Sequence, residues 1–182
     1  MMQVTIDPLT CIMQAPIDTL MSMLGKTYDS QVCSIARALE LVGERWTLLI
    51  VRDALFGGVT RFNDHQHNLG IATNILKSRL DALIDADIMQ RRTTSGGQHE
   101  YVLTDKGRDL KPALIALTHW GDRWATSEAP PIVYRHSGCG ADVGVEVACR
   151  VHGSIDPADI EAESGPGMPA EYLADRRPRR AA

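Results

Sequence analysis

Leu76, Leu80 and Leu83 recur at spacings of four and three between Gly70 and Ala86. That repeat is one apolar face of a helix, predicted over residues 72–86. What flanks it limits the fold more than the helix itself. Upstream lies a shorter, polar stretch running from Phe62 through Asp64 and Gln66 to Asn68, which Thr60 is placed to cap and Gly70 breaks. Downstream, residues 88–94 carry no helical stripe, Ser95-Gly96-Gly97-Gln98 is a turn signal, and residues 99–103 read as a second short strand.

The remaining elements frame this core. Ile35, Ala38, Leu39 and Val42 mark a first helix from Cys33 to Val42, which Gly43 breaks. Trp46 to Phe56 reads as a second helix, apolar nearly all round and so central in the core, ended by Gly57-Gly58. After the hairpin, Thr104 can cap a last long helix with Leu110, Ala113, Leu114, Leu117, Trp120 and Trp124 on one stripe, kinked early by Pro112. Three helices in order, a reading helix, a hairpin and a closing helix make a winged helix-turn-helix, mainly α with a β-hairpin wing. The expected organisation is a loosely ordered arm over 1–29, the winged domain over 30–127 and an appendage over 128–182. That appendage begins after Ala129-Pro130-Pro131 as a ribbon-like Cys/His segment over 132–156, then runs into an acidic stretch and a basic terminus, Arg176 to Arg180.

Composition narrows the class. The 182 residues suit one domain with an appendage. No apolar run approaches the roughly 20 residues that cross a bilayer. Before Lys26 there is no basic residue, and Asp7, Pro8, Pro16 and Asp18 interrupt the apolar start, so a secretory leader is not expected. Four cysteines do not make a disulfide framework, and the expected location is cytoplasmic. The net charge of −4 looks wrong for a nucleic-acid binder until it is divided. Residues 1–32 carry −2, residues 126–182 carry −3, and residues 33–125 carry +1. Any contact with DNA must then come from a local basic face.

That face can be placed on the helix over 72–86. With Leu76 at zero and steps of about 100°, Lys77 falls near about 100°, Asn74 near about 160° and Ser78 near about 200°. Asn74, Lys77 and Ser78 therefore project away from the core in the first two turns. Asn can pair with adenine through two hydrogen bonds, and Lys can donate to guanine or phosphate. Arg79, on the flank, is better placed for a phosphate. An ordinary amphipathic surface helix would show the same pattern, and only its place between a short helix and a hairpin favours the reading role.

Residues 33–124 resemble the HxlR-type transcriptional regulators. The matching stretches are Cys33-Ser34-Ile35-Ala36-Arg37-Ala38-Leu39-Glu40, Gly43-Glu44-Arg45-Trp46-Thr47-Leu48-Leu49-Ile50, Arg61-Phe62-Asn63-Asp64, Gly70-Ile71-Ala72, Leu76-Lys77-Ser78-Arg79-Leu80, Glu100-Tyr101-Val102-Leu103-Thr104, Gly107-Arg108 and Trp120-Gly121. The resemblance implies a homodimeric DNA-binding regulator, a repressor by expectation, paired through the last helix and N-terminal segments. Its DNA contacts would be Thr73, Asn74, Lys77, Ser78 and Arg79 with Arg61, Arg91 and Arg92. Two departures stand out: His65 replaces a large apolar residue, which would loosen or polarise the third helix, and Gln98 stands where an Arg often precedes the second wing strand. Arg91 and Arg92 are then the cations left near the wing, to be read either as phosphate contacts or as a solvated strand edge.

Several expectations follow for partners and signals. The stripe of Leu114, Leu117, Trp120 and Trp124 carries more aromatic area than one small domain readily covers, so it is either a dimer seam or core of its own domain. A two-fold dimer would set two reading helices about 34 Å apart on an inverted-repeat site. Cys33 stands at a helix start, where a thiolate is favoured. The resemblance suggests a sensor of oxidants or electrophiles there; a small buried cysteine at the seam is the other reading, and a small ligand between dimer helices is a third route for a signal. In the tail, His136-x-x-Cys139 and Cys149-x-x-His152 are paired in knuckle-like spacing that could hold zinc, or else form a ribbon without metal. The rival function is a protein-interaction module using the helix-turn-helix as a scaffold. An enzyme is not expected, because the six histidines and the carboxylates form no catalytic motif.

Overall fold

The computed structural model describes residues 27–126 and 129–174. The expectations for an N-terminal arm and for the basic terminus at Arg176–Arg180 fall largely or wholly outside the described residues. The chain divides into two units, Met1–Glu40 and Leu41–Ala182. Helix α1 spans Ser34–Val42. In the first unit Arg37 is the organiser: its guanidinium reaches the Glu40 carboxylate at 2.7 Å and donates to the carbonyls of Tyr28 (2.7 Å) and Gln31 (3.0 Å).

The second unit holds the predicted order of elements. Helix α2 is Thr47–Phe56, α3 is Phe62–Leu69 and α4 is Thr73–Asp85. Strands β1 (Met89–Thr93) and β2 (His99–Leu103) form an antiparallel hairpin that pairs Met89 with Leu103, Arg91 with Tyr101 and Arg92 with Glu100. A short helix α5 (Asp105–Arg108) and the long α6 (Lys111–Trp124) close the domain. The core is the meeting of α2, α4 and the hairpin. Ile50, Val51, Leu76, Leu80 and Leu83 are fully buried, joined by Ile88, Met89, Leu103 and Leu114. The leucine stripe is therefore the inward face of α4, as its spacing predicts.

Three local expectations are corrected. Thr60 does not cap α3: Arg61 is the capping position, without a side-chain cap, and the Thr60 carbonyl instead accepts from the Tyr101 N–H at 2.7 Å. That bond ties the start of α3 to the edge of β2. Thr104 does cap a helix, accepting from the Gly107 N–H at 3.1 Å, but the helix is α5 and not the long one. Its hydroxyl also donates to the Asp87 carbonyl at 2.7 Å, so one side chain joins both ends of the hairpin. Pro112 does not kink α6. It sits in the first turn, where its missing N–H would have had no helical partner.

The glycine between α3 and α4 is required by conformation. Gly70 has φ 60°, a left-handed backbone that residues with a Cβ adopt at a cost, and its N–H closes α3 on the Gln66 carbonyl. Across this turn the Gln66 amide donates to the Thr73 hydroxyl at 2.7 Å, fixing the start of α4 relative to α3.

Beyond α6, the chain returns to α2 and α6. The Tyr134 ring packs on Phe56 with centroids 4.8 Å apart, and its hydroxyl bonds that of Thr118 at 3.1 Å. A two-residue hairpin follows, β3 (Ala148–Cys149) with β4 (Gly153–Ser154), then a 3-10 turn at Pro157–Asp159 and a short α7 (Ala170–Ala174). Among the described residues no helix is long and apolar enough to cross a membrane.

Candidate nucleic-acid interface

Burial of Leu76, Leu80 and Leu83 decides what α4 can show to solvent. Thr73, Asn74, Lys77 and Ser78 are all exposed on its first two turns. Two of these side chains already have partners. Thr73 accepts from Gln66, and the Lys77 ammonium lies 2.6 Å from the Asp81 carboxylate, one turn on. The hydrogen bond to Asp81 and its charge raise the Lys77 pKa, while the positive charge of Arg91 opposes the shift. A cation of the wing thus bears electrostatically on one of the helix. Asp81 was legible in the sequence as an i+4 partner of Lys77; a solvated pair of this kind is weak and exchangeable.

Arg79, expected at a phosphate, has partners within the chain. It is half-buried, bonds Glu44 at 2.7 Å and donates to the Arg45 carbonyl at 3.3 Å. The turn that offers both acceptors is held by Trp46 in a left-handed conformation, φ 80°. Arg79 therefore packs α4 against the start of α2, with its charge shared with exposed Glu44. Arg61 is exposed at the start of α3 and, with Arg91 and Arg92, carries no ion pair among the described residues.

The hairpin separates the two adjacent arginines. Successive strand residues face opposite sides. Met89 is buried in the core and Tyr101, the partner of Arg91, packs near Phe62 of α3 with centroids 6.5 Å apart, so Arg91 shares the side of α3 and α4. Arg92, on the opposite face of β1, lines with Gln90, Tyr101, Val102 and Leu103 a cavity that α2 and the start of α6 complete. The two arginines expected together at the wing thus stand on opposite faces of the hairpin.

Beneath this surface, His65 is fully buried on α3 and neither ring nitrogen has a hydrogen-bond partner. Burial lowers its pKa, opposed by the charges of Asp53 and Asp64. The departure to histidine leaves the helix well packed but polar inside. Asp53 on α2 is buried too; one oxygen holds Arg52 at 2.7 Å and the other has no partner.

The stripe on α6 divides. Leu114 is 8% exposed and belongs to the core, which corrects its place in the expected seam. Leu117, Trp120 and Trp124 are 52%, 62% and 66% exposed. The Arg123 guanidinium lies over the Trp124 ring at 4.8 Å.

Cys33 is exposed and immediately precedes α1. In the tail, His136 Nδ1 lies 3.2 Å from Cys139 Sγ, and Cys149 Sγ lies 3.6 Å from His152 Nδ1. Backbone N–H groups of Val151 and His152 lower the Cys149 pKa. Both knuckles form as local pairs, yet among the described residues no group of three or more His, Cys, Asp or Glu side chains converges as a metal site.

Known proteins share this arrangement. Residues 41–129 match the family described as HxlR-like helix-turn-helix. An uncharacterized HTH-type transcriptional regulator of Mycobacterium tuberculosis, Rv3095, is 44% identical over 145 residues, covering 78% of this chain and 91% of the relative. Another from Bacillus subtilis, YvaP, is 30% identical over 100 residues, covering 53% and 92%. Among solved structures, PA1607, a candidate transcription factor, superposes with a TM-score of 0.68 at 35% identity, over 74% of this chain and 96% of that one. PA1374 of Pseudomonas aeruginosa, also a candidate transcription factor, gives 0.56 at 33%, over 78% and 99%.

Proposed function

The chain belongs to the HxlR-like helix-turn-helix family of transcriptional regulators, and from that premise we propose that it works as a homodimer on an inverted-repeat operator, as a repressor. The protein is a DNA-binding regulator of the winged helix-turn-helix type and not an enzyme. Its working compartment is the one that holds the DNA, the cytoplasm.

The observation that carries the reading is the division of α4: three leucines fully buried, and Asn74, Lys77 and Ser78 exposed, after a turn that the Gln66–Thr73 hydrogen bond spans. Asn74 reads a base edge, Lys77 exchanges Asp81 for a guanine or phosphate, and Arg91 and Arg61 neutralise phosphates. Exposed Trp120, Trp124 and Leu117 on one face of α6 support a two-fold seam, because large aromatics left in water are typical interface anchors. A dimer covering promoter DNA would exclude polymerase. The signal that lifts it acts either on exposed Cys33, as an electrophile or oxidant, or as a small ligand.

The test is a salt series of binding to duplexes from the promoter flanking its own reading frame. Each phosphate neutralised adds about 0.9 to the slope of log affinity against log salt. A steep slope and one dimer per inverted repeat are expected. Affinity that ignores salt, or equal affinity for the site and for scrambled DNA at all concentrations, would sink the reading.

A further inference from the structure

We propose that a cavity of about 630 Å³ between α2, the hairpin and the start of α6 binds a small organic anion, a carboxylate on an aromatic or aliphatic body. Three cations line it, Arg92 from β1, Arg108 from α5 and Lys111 from α6, and no carboxylate does. Its size falls within the roughly 300–1,000 Å³ usual for small-molecule sites.

The three cations are not equivalent. Arg108 shares its charge with Asp105 at 2.5 Å and donates to the Leu103 carbonyl, so it is held in place by the fold. Lys111 lies 5.3 Å from the centroid of the Phe56 ring, a contact an anion could join without breaking it. Among the described residues Arg92 has no ion pair, and Glu100, across from it on β2, does not line the cavity. Arg92 and Lys111 are the cations available to a carboxylate head.

The apolar lining selects the body. Leu55, Val59 and Val102 give nothing to an inorganic anion or to the convex, evenly spaced phosphates of a duplex. A hydrocarbon or aromatic body would bury there, out of water. Strand alternation supplies the remaining argument. It sets Arg92 on the opposite face of β1 from Arg91, which leaves the second arginine of the wing to a different ligand. This names the class of the small-ligand signal in the function proposed above, and rests on that reading only for its consequence on DNA.

The probe is 2-naphthoate, titrated calorimetrically into the full chain beside 2-naphthylmethanol, a neutral compound of similar size. One naphthoate per chain is expected, with the alcohol bound at least tenfold more weakly. The variant Arg92→Gln/Lys111→Met, confirmed as folded by its thermal transition, should lose at least tenfold in naphthoate affinity. Equal binding of acid and alcohol, unchanged binding by the variant, or no binding at millimolar probe each overturns the site. Duplex binding is measured on the same samples without probe. Its loss with naphthoate binding intact would remove the DNA reading alone, and the reverse would remove the anion site alone.

Discussion

The guanidinium of Arg79 lies 2.7 Å from the carboxylate of Glu44, joining the middle of α4 to the turn before α2. The pair costs the reading surface one cation and gives α4 a fixed tilt against the core. Lys77, paired only with a solvated acid one turn away, keeps its charge exchangeable. The two residues should therefore separate in a salt series. Lys77→Ala is expected to flatten the log–log salt slope by about one and to weaken duplex binding across sequences. Arg79→Ala should leave the slope unchanged and lower stability by about 0–1 kcal/mol, read from urea unfolding. A slope change for Arg79→Ala equal to that for Lys77→Ala would show that the Glu44 pair opens on DNA.

His65 makes stability depend on pH. Burial lowers its pKa below the ordinary 6.5, so in the folded chain it resists protonation. The unfolded chain takes up the proton first. Stability is thus complete above about pH 6.5 and declines as pH falls below it. His65→Leu also removes two buried ring nitrogens that lack partners, worth about 1–3 kcal/mol. In urea unfolding the variant should be more stable at pH 7.5, with a wider gap at pH 5.5. An equal gap at the two pH values would mean the ring is solvated in the folded state.

Gly107 is required by proximity. A Cβ at this position would stand 2.2 Å from the Ile88 carbonyl oxygen and 2.9 Å from Leu103 Cδ2. One neighbour is backbone at the base of the wing, so the methyl must push the hairpin off α5. Gly107→Ala should cost at least about 1–3 kcal/mol in urea unfolding. A neutral result would mean that α5 shifts freely against β2.

Trp120 and Trp124 are 62% and 66% exposed, so neither holds the single chain together. Trp120→Asp/Trp124→Asp should leave a folded monomer by sedimentation velocity, with a far-UV spectrum like that of the parent. Loss of the second half-site should lower operator affinity by at least tenfold. A variant that remains dimeric would move the seam away from α6.

Much of the fold was legible because helices and strands announce their faces locally. Leu76, Leu80 and Leu83 needed only a 3.6-residue period, and the exposed positions of Asn74, Lys77 and Ser78 follow from the same wheel. What was hidden depends on partners far along the chain. Thr104 was readable as a cap, but the split between α5 and α6 arises where Gly107 is drawn against Ile88, nineteen residues upstream in the chain. Glu44 takes Arg79 across 35 positions, beyond any local window. Leu114 and Trp120 share a stripe, yet only packing against α2 shows that the first is core and the second is surface. The opposite facings of Arg91 and Arg92 were available from strand alternation, whereas the cavity that receives Arg92 is assembled from α2 and α6.

The pairing of β1 with β2 thus fixes a choice between two neighbouring guanidiniums. Because the strand period is two, deleting one residue from β1 ahead of Arg91 while the ladder re-forms would swap their positions, presenting Arg92 to the helices and Arg91 to the opposite hollow. A change that removes no charge would then rewire which stimulus and which surface each arginine answers to, so indels in this short ribbon should be tolerated far less than substitutions at its exposed turn.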